Sequence, residues 1–217
     1  MLARMLTTVL CVMALSVLSA GCSTVTVNAP LTATPTARDV SCFEGVWLMD
    51  KETLTIRFDK NGVGQVGAAE FKDDKFQLFR AEIYPTHGQY RRFLALRLQE
   101  NGQWLPDYYL VQYDFTDQGE LLIWQPELDT FATLVNAKKL QGEVKLDGMA
   151  KEVRLTSPGE MVLKALDTPG LTGLFRYQKP SVLRRVAGPA VCVPEPLVVI
   201  LPPTPASGAS GASEKKP

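Results

Sequence analysis

The chain has one histidine, His87, among 217 residues, and no surplus of either charge: 23 basic side chains meet 23 acidic ones. A single imidazole excludes most zinc sites and every histidine-rich metal trap. Zero net charge, with no basic block, excludes the electrostatic footprint of a nucleic-acid binder. No G-x-S-x-G elbow occurs. His87 stands in a Thr-His-Gly segment with no nucleophile near it in sequence, so it reads as a solvent-facing loop residue; the alternative is a general base. The carboxylates are scattered, and Asp73-Asp74 sits among lysines in a turn. The sequence therefore assigns no catalytic residue, no metal ligand and no cofactor, and the protein is expected not to be an enzyme. A 46% hydrophobic content is ordinary for a globular chain, and the length suits one domain with appendages.

Long apolar runs are also scarce. Met5 to Leu18 has the length of a signal-peptide core, too short for a comfortable membrane span, and Arg4 supplies a positive start. The run that follows, Leu18-Ser19-Ala20-Gly21-Cys22, resembles the bacterial lipobox in its relaxed form, with leucine one place further from the cysteine than is commonest. The resemblance implies cleavage after residue 21, a diacylglycerol on the Cys22 sulfur, and acyl chains such as palmitate as membrane anchor. Several chains hold stably where one binds marginally. Ser23, a residue other than aspartate, implies by the same resemblance sorting to the outer membrane, facing the periplasm. An ordinary cleaved signal with a spare Cys22, or an uncleaved N-terminal helix, are the alternatives.

Composition divides the rest. Residues 1–21 read as a lipoprotein signal peptide. Residues 22–40, rich in Thr and Ala, read as a lipidated N-terminus and flexible tether spanning about 23 Å. Residues 41–187 read as the folded domain. Residues 188–217 form a Pro/Gly/Ser-rich tail, whose apolar patch Leu197–Leu201 could add an edge strand. Cys42 and Cys192 flank the domain. An oxidising compartment favours their pairing; two free thiols are the alternative.

Within the domain the pattern is mainly β. Leu54–Phe58 alternates, and Asp59-Lys60-Asn61-Gly62 signals a turn. Lys75–Tyr84, Tyr90–Leu98, Asp107–Phe115 and Glu120–Gln125 follow as strands, with Leu174–Gln178 as a last short one. Glu143–Leu146 and Lys151–Thr156 can pair around Asp147-Gly148. Two helices interrupt the strands. The first carries Leu128, Phe131, Ala132 and Val135 on one stripe. The second starts at Ser157-Pro158-Gly159-Glu160, a capping-box pattern. Gly62-Val63-Gly64-Gln65-Val66-Gly67 spells a dinucleotide motif, but its antiparallel context argues for a bend in a curved sheet. On Asp107–Phe115, Tyr109, Val111, Tyr113 and Phe115 share one face while Tyr108 and Leu110 share the other; both faces are apolar enough to be covered. An antiparallel meander closing into a barrel or sandwich is expected.

Gly45-Val46-Trp47, at the head of the first strand, resembles the G-x-W signature of lipocalins, and Asp107-Tyr108-Tyr109 with Tyr113 resembles their second motif. The resemblance implies a lipocalin-like barrel whose floor is closed by Trp47, with a late-strand arginine stacked on it; Arg176 is the candidate. The stretch from Tyr108 to Leu166 also resembles a group of uncharacterised proteobacterial lipoproteins, which implies no activity. The expected function is a non-enzymatic envelope lipoprotein whose β domain binds an apolar small molecule or a periplasmic partner. A structural or assembly accessory is the second reading, and an enzyme with an unrecognised carboxylate site the third.

Overall fold

The computed structural model describes residues 24–31, 37–50, 52–72, 75–147, 150–188 and 197. The segment expected as a signal peptide, Cys22 and Cys192 lie outside the described residues.

In chain order the strands are β1 (Thr24–Val27), β2 (Gly45–Met49), β3 (Glu52–Phe58), β4 (Gly64–Lys72), β5 (Lys75–His87), β6 (Arg92–Glu100), β7 (Gln103–Trp104), β8 (Tyr108–Phe115), β9 (Leu121–Trp124), β10 (Gly142–Asp147), β11 (Ala150–Leu155) and β12 (Ser181–Ala187). The helices are α1 (Ala37–Phe43), α2 (Leu128–Asn136) and α3 (Gly159–Leu166). Strands β2, β3, β4, β5, β6, β8, β9 and β12 pair antiparallel in chain order, and β12 returns to pair with β2. This is a closed eight-stranded meander, the lipocalin-like barrel of the two architectures expected. Closure removes the edges that an open meander would expose.

Alternation builds the lumen. Leu54 and Ile56 of β3 point inward, while Thr53, Thr55 and Arg57 face solvent. The β3–β4 turn is held by Asp59, whose carboxylate accepts the Asn61 and Val63 N–H groups at 2.8 and 3.0 Å. Gly62 supplies the positive φ of 78° that the turn needs. Gly64 has a different reason: a Cβ there would fall 2.4 Å from the Ile83 side chain. The glycine-rich motif is thus part of an antiparallel strand, as its context argued. Strand β8 is covered on both faces. Val111 and Tyr113 join Leu94 in the barrel core, while Leu110 joins Phe93 in a second core outside it.

That second core belongs to a flanking layer. β1 pairs antiparallel with β8 and parallel with β11, and β10–β11 is the expected hairpin. Helices α2 and α3 cover its inner face through Leu128, Phe131, Val162 and Leu166.

Several expectations change. Within the stretch 22–40 expected as a tether, residues 24–31 are packed: Val25 and Val27 are 1% exposed and Leu31 is buried. The Thr86 hydroxyl donates to the Leu31 carbonyl at 2.9 Å. The folded body therefore includes Thr24–Leu31, upstream of the boundary expected at residue 41. Alternating Thr-Val-Thr-Val is a β-branched strand pattern, outweighed in the sequence reading by the Thr/Ala-rich composition around it. A third helix, α1, precedes the barrel. Ser157 does not cap α3; its hydroxyl accepts the Gln141 N–H at 2.7 Å, and the helix starts after Pro158 without a side-chain cap. Leu174–Gln178 is no strand: Phe175 makes a single bridge to Pro126, and the last strand comes later, at Ser181–Ala187. β5 runs on through Pro85, Thr86 and His87, where the sequence suggested a loop. Beyond Ile83 it is paired on one side only, the edge setting that a strand proline requires.

Candidate functional site

The closed end of the barrel is built around Trp47. Its indole N–H donates to the Phe43 carbonyl at 2.7 Å, tying β2 to α1. Gly45 adopts φ 139°, and a Cβ there would sit 2.4 Å from the Ala187 carbonyl. The glycine of Gly-Val-Trp is therefore required by the close approach of β12, where the register also shifts between Arg185 and Ala187. The arginine stacked on Trp47 is Arg185, with its guanidinium carbon 4.6 Å from the ring centroid. Arg176 does not fill that role; it pairs with Glu127 at 3.3 Å on the surface. The expectation of a late-strand arginine holds, but on β12, the strand the sequence reading had not drawn. Arg185 also donates to the Cys42 carbonyl. Cys42 is fully buried and disulfide-bonded.

Phe43, at the end of α1, enters the lumen. Its ring lies 4.9 Å from Tyr113 and 5.1 Å from Phe115, both edge-on. Together with Trp47, Leu54, Ile56 and Ile83 these rings belong to one contiguous cluster. At this level the lumen is occupied by the protein's own side chains.

Charged groups gather at the same end. His87 is not a solvent-facing loop residue: its Nδ1 lies 3.1 Å from the Asp39 Oδ2, and Asp39 is buried. Arg92, on the lumen face of β6, pairs with Asp114. The Tyr113 hydroxyl is buried with no hydrogen-bond partner among the described residues. Burial raises its pKa, and the nearby Asp39 charge raises it further. The Thr86 hydroxyl is committed to Leu31, as described above.

A ligand-sized concavity lies elsewhere, on the flanking layer. It has a volume of about 310 Å³. Thr24 and Thr26 of β1 form its floor, β10 and β11 contribute Glu143, Lys145, Glu152 and Arg154, and Leu105, Pro106 and Asp107 form a wall beside Tyr109. Cross-strand pairs set this face: Thr24 stands opposite Glu152, and Thr26 is flanked by Arg154 and Tyr109. Arg154 Nε and Nη2 donate to the two Asp107 carboxylate oxygens at 2.8 and 2.9 Å. This bidentate pair fixes the wall and raises the Arg154 pKa. The sequence reading missed the groove because it placed Thr24 and Thr26 in a tether. The available signal was the alternation of polar positions in Thr24–Val27, Gly142–Asp147 and Ala150–Leu155.

Fold and floor together define a lipocalin-like barrel with an inserted α/β flank. Comparison with known proteins returns no family model, no curated protein and no solved structure that matches this chain. Among the described residues no helix is long and apolar enough to cross a membrane.

Proposed function

We propose that this protein is a bacterial envelope lipoprotein, anchored through acyl chains on Cys22 to the outer membrane on its periplasmic side, and that its barrel domain is a non-enzymatic binding module. The groove over Thr24 and Thr26 carries the binding part of this reading, and the lipobox-like run ending at Cys22 supports the anchor. Of the two ligand classes expected from the sequence, it favours a segment of a periplasmic partner over an apolar small molecule. The lumen at the Trp47 level is filled by side chains, whereas the groove offers hydroxyl, carboxylate and guanidinium groups in one concavity, the chemistry that pairs with a peptide backbone and polar side chains. Cys192 is the cysteine we place opposite Cys42, because in this reading Cys11 leaves with the signal and Cys22 is alkylated by lipid.

Three measurements test this. Cys22→Ala should move the protein from the membrane to the soluble fraction; persistence in the membrane overturns the anchor. Native mass spectrometry of the detergent-extracted protein should show a bound species that Thr26→Trp, which fills the groove, loses while its melting temperature holds. Equal occupancy in the two proteins overturns the groove. Peptide mapping under non-reducing conditions should recover Cys42 linked to Cys192.

A further inference from the structure

We propose that the anchor has no slack, and that the tip of the β10–β11 hairpin rests on the bilayer beside it. This rests on the Cys22 anchoring proposed above. Cys22 precedes Thr24 by two residues, which span at most about 7 Å when fully extended. Thr24 is no loose end, for it is registered against Glu152 of β11. β1 and β11 run parallel, so the chain leading back to Cys22 leaves toward the same end as the β10–β11 turn. Only Ala150 and Lys151 separate Glu152 from that turn. Acyl chains buried in the membrane therefore hold this turn at headgroup depth.

The turn carries a side chain suited to that position. Leu146 is 73% exposed, and beside an acyl anchor it can bury its apolar side chain at the headgroup–acyl boundary. Its cross-strand partner is Lys151. The neighbouring lysines lie in solvent-exposed pairs, Lys145 with Glu143 and Lys151 with Asp129, which leave little net charge there, so apolar insertion of Leu146 is the contact that distinguishes this turn. The occupant of this surface is the lipid bilayer itself. The other hairpin with an exposed leucine, β4–β5 with Leu78 79% exposed, projects from the opposite end of the barrel, as the registers of β5, β6, β8 and β1 require. In this orientation the closed floor faces the membrane side, and the β4–β5 hairpin reaches away from it.

The test uses the full-length acylated protein in vesicles of phosphatidylethanolamine and phosphatidylglycerol. A photoactivatable diazirine amino acid is placed at position 146 or at position 78, and lipid adducts are read by mass. A lipid adduct at 146 and none at 78 is expected, and a long Gly-Ser spacer between Ser23 and Thr24 should abolish the adduct at 146 while the protein stays bound. No adduct at 146, or equal adducts at both positions, with the diacylglyceryl mass present on Cys22, overturns the orientation and leaves the anchor standing. Absence of that mass on Cys22 overturns both.

Discussion

The Arg185 guanidinium caps the Trp47 ring at 4.6 Å and donates at the same time to the Cys42 carbonyl. One side chain thereby joins the last barrel strand, the first barrel strand and α1. Arg185→Ala removes a cation–π contact and a charged hydrogen bond, and should cost about 2–4 kcal/mol in urea unfolding. Arg176→Ala breaks only a half-exposed pair with Glu127 and should cost under about 1 kcal/mol. Equal losses from the two variants would show that the stacking contributes nothing.

Phe43 plugs the lumen from α1. Phe43→Ala should destabilise by about 3–5 kcal/mol and leave an apolar cavity between Tyr113 and Phe115. Such cavities stay dry and take up xenon or benzene. Binding of either to the variant, and not to the wild type, can be followed by calorimetry or by chemical shifts of the lumen methyl groups.

Tyr113 carries a buried hydroxyl with no partner among the described residues. Tyr113→Phe should therefore be neutral, or stabilising by up to about 1 kcal/mol, at pH 7. The sign of the pH effect follows from the raised pKa in the folded state, caused mainly by burial. In the unfolded chain the phenol ionises near the ordinary value of about 10, while in the folded chain it stays neutral. Its titration leaves stability unchanged below that value and lowers it as pH rises above, because the unfolded chain alone gives up the proton. Tyr84 is also raised, by burial and by the Glu82 carboxylate that its hydroxyl meets at 2.9 Å, and it adds to the same alkaline loss. Urea midpoints measured above pH 10 should fall less steeply for Tyr113→Phe than for the wild type. Parallel slopes would refute the assignment.

Ser157 and Glu160 separate two accounts of α3. Ser157 is buried and accepts the Gln141 N–H, so Ser157→Ala strands a donor and should cost about 1–3 kcal/mol. Glu160 has no capping bond to lose in a helix that starts uncapped. Glu160→Ala should stay within about 0.5 kcal/mol of the wild type. A true capping box would make both variants costly.

Local pattern made most of the barrel legible. Period-two alternation in Leu54–Phe58 and Asp107–Phe115, with the Asn61-Gly62 turn, specifies strands and their inward faces before any tertiary information is needed. The two covered faces of β8 were readable because Leu110 and Val111 are both apolar. What escaped depended on distant partners. Thr24–Val27 is a strand only because β8 and β11 lie on either side of it. Ser157 met the capping pattern, yet the Gln141 backbone competed for its hydroxyl. Arg176 and Arg185 both lie late in the chain, and the choice between them depends on which segment closes the barrel against β2. The polar groove was hidden in the sequence for the same reason, since its floor is that strand.

The parallel pairing of β1 with β11 also bears on the order of events in a chain delivered from its N-terminus. Thr24 and Glu152 are roughly 130 residues apart in sequence, a separation that makes their contact slow to form. Until the last third of the polypeptide has emerged, β1 has no parallel neighbour. The flank is thus completed only late in the chain, although its central strand stands near the front.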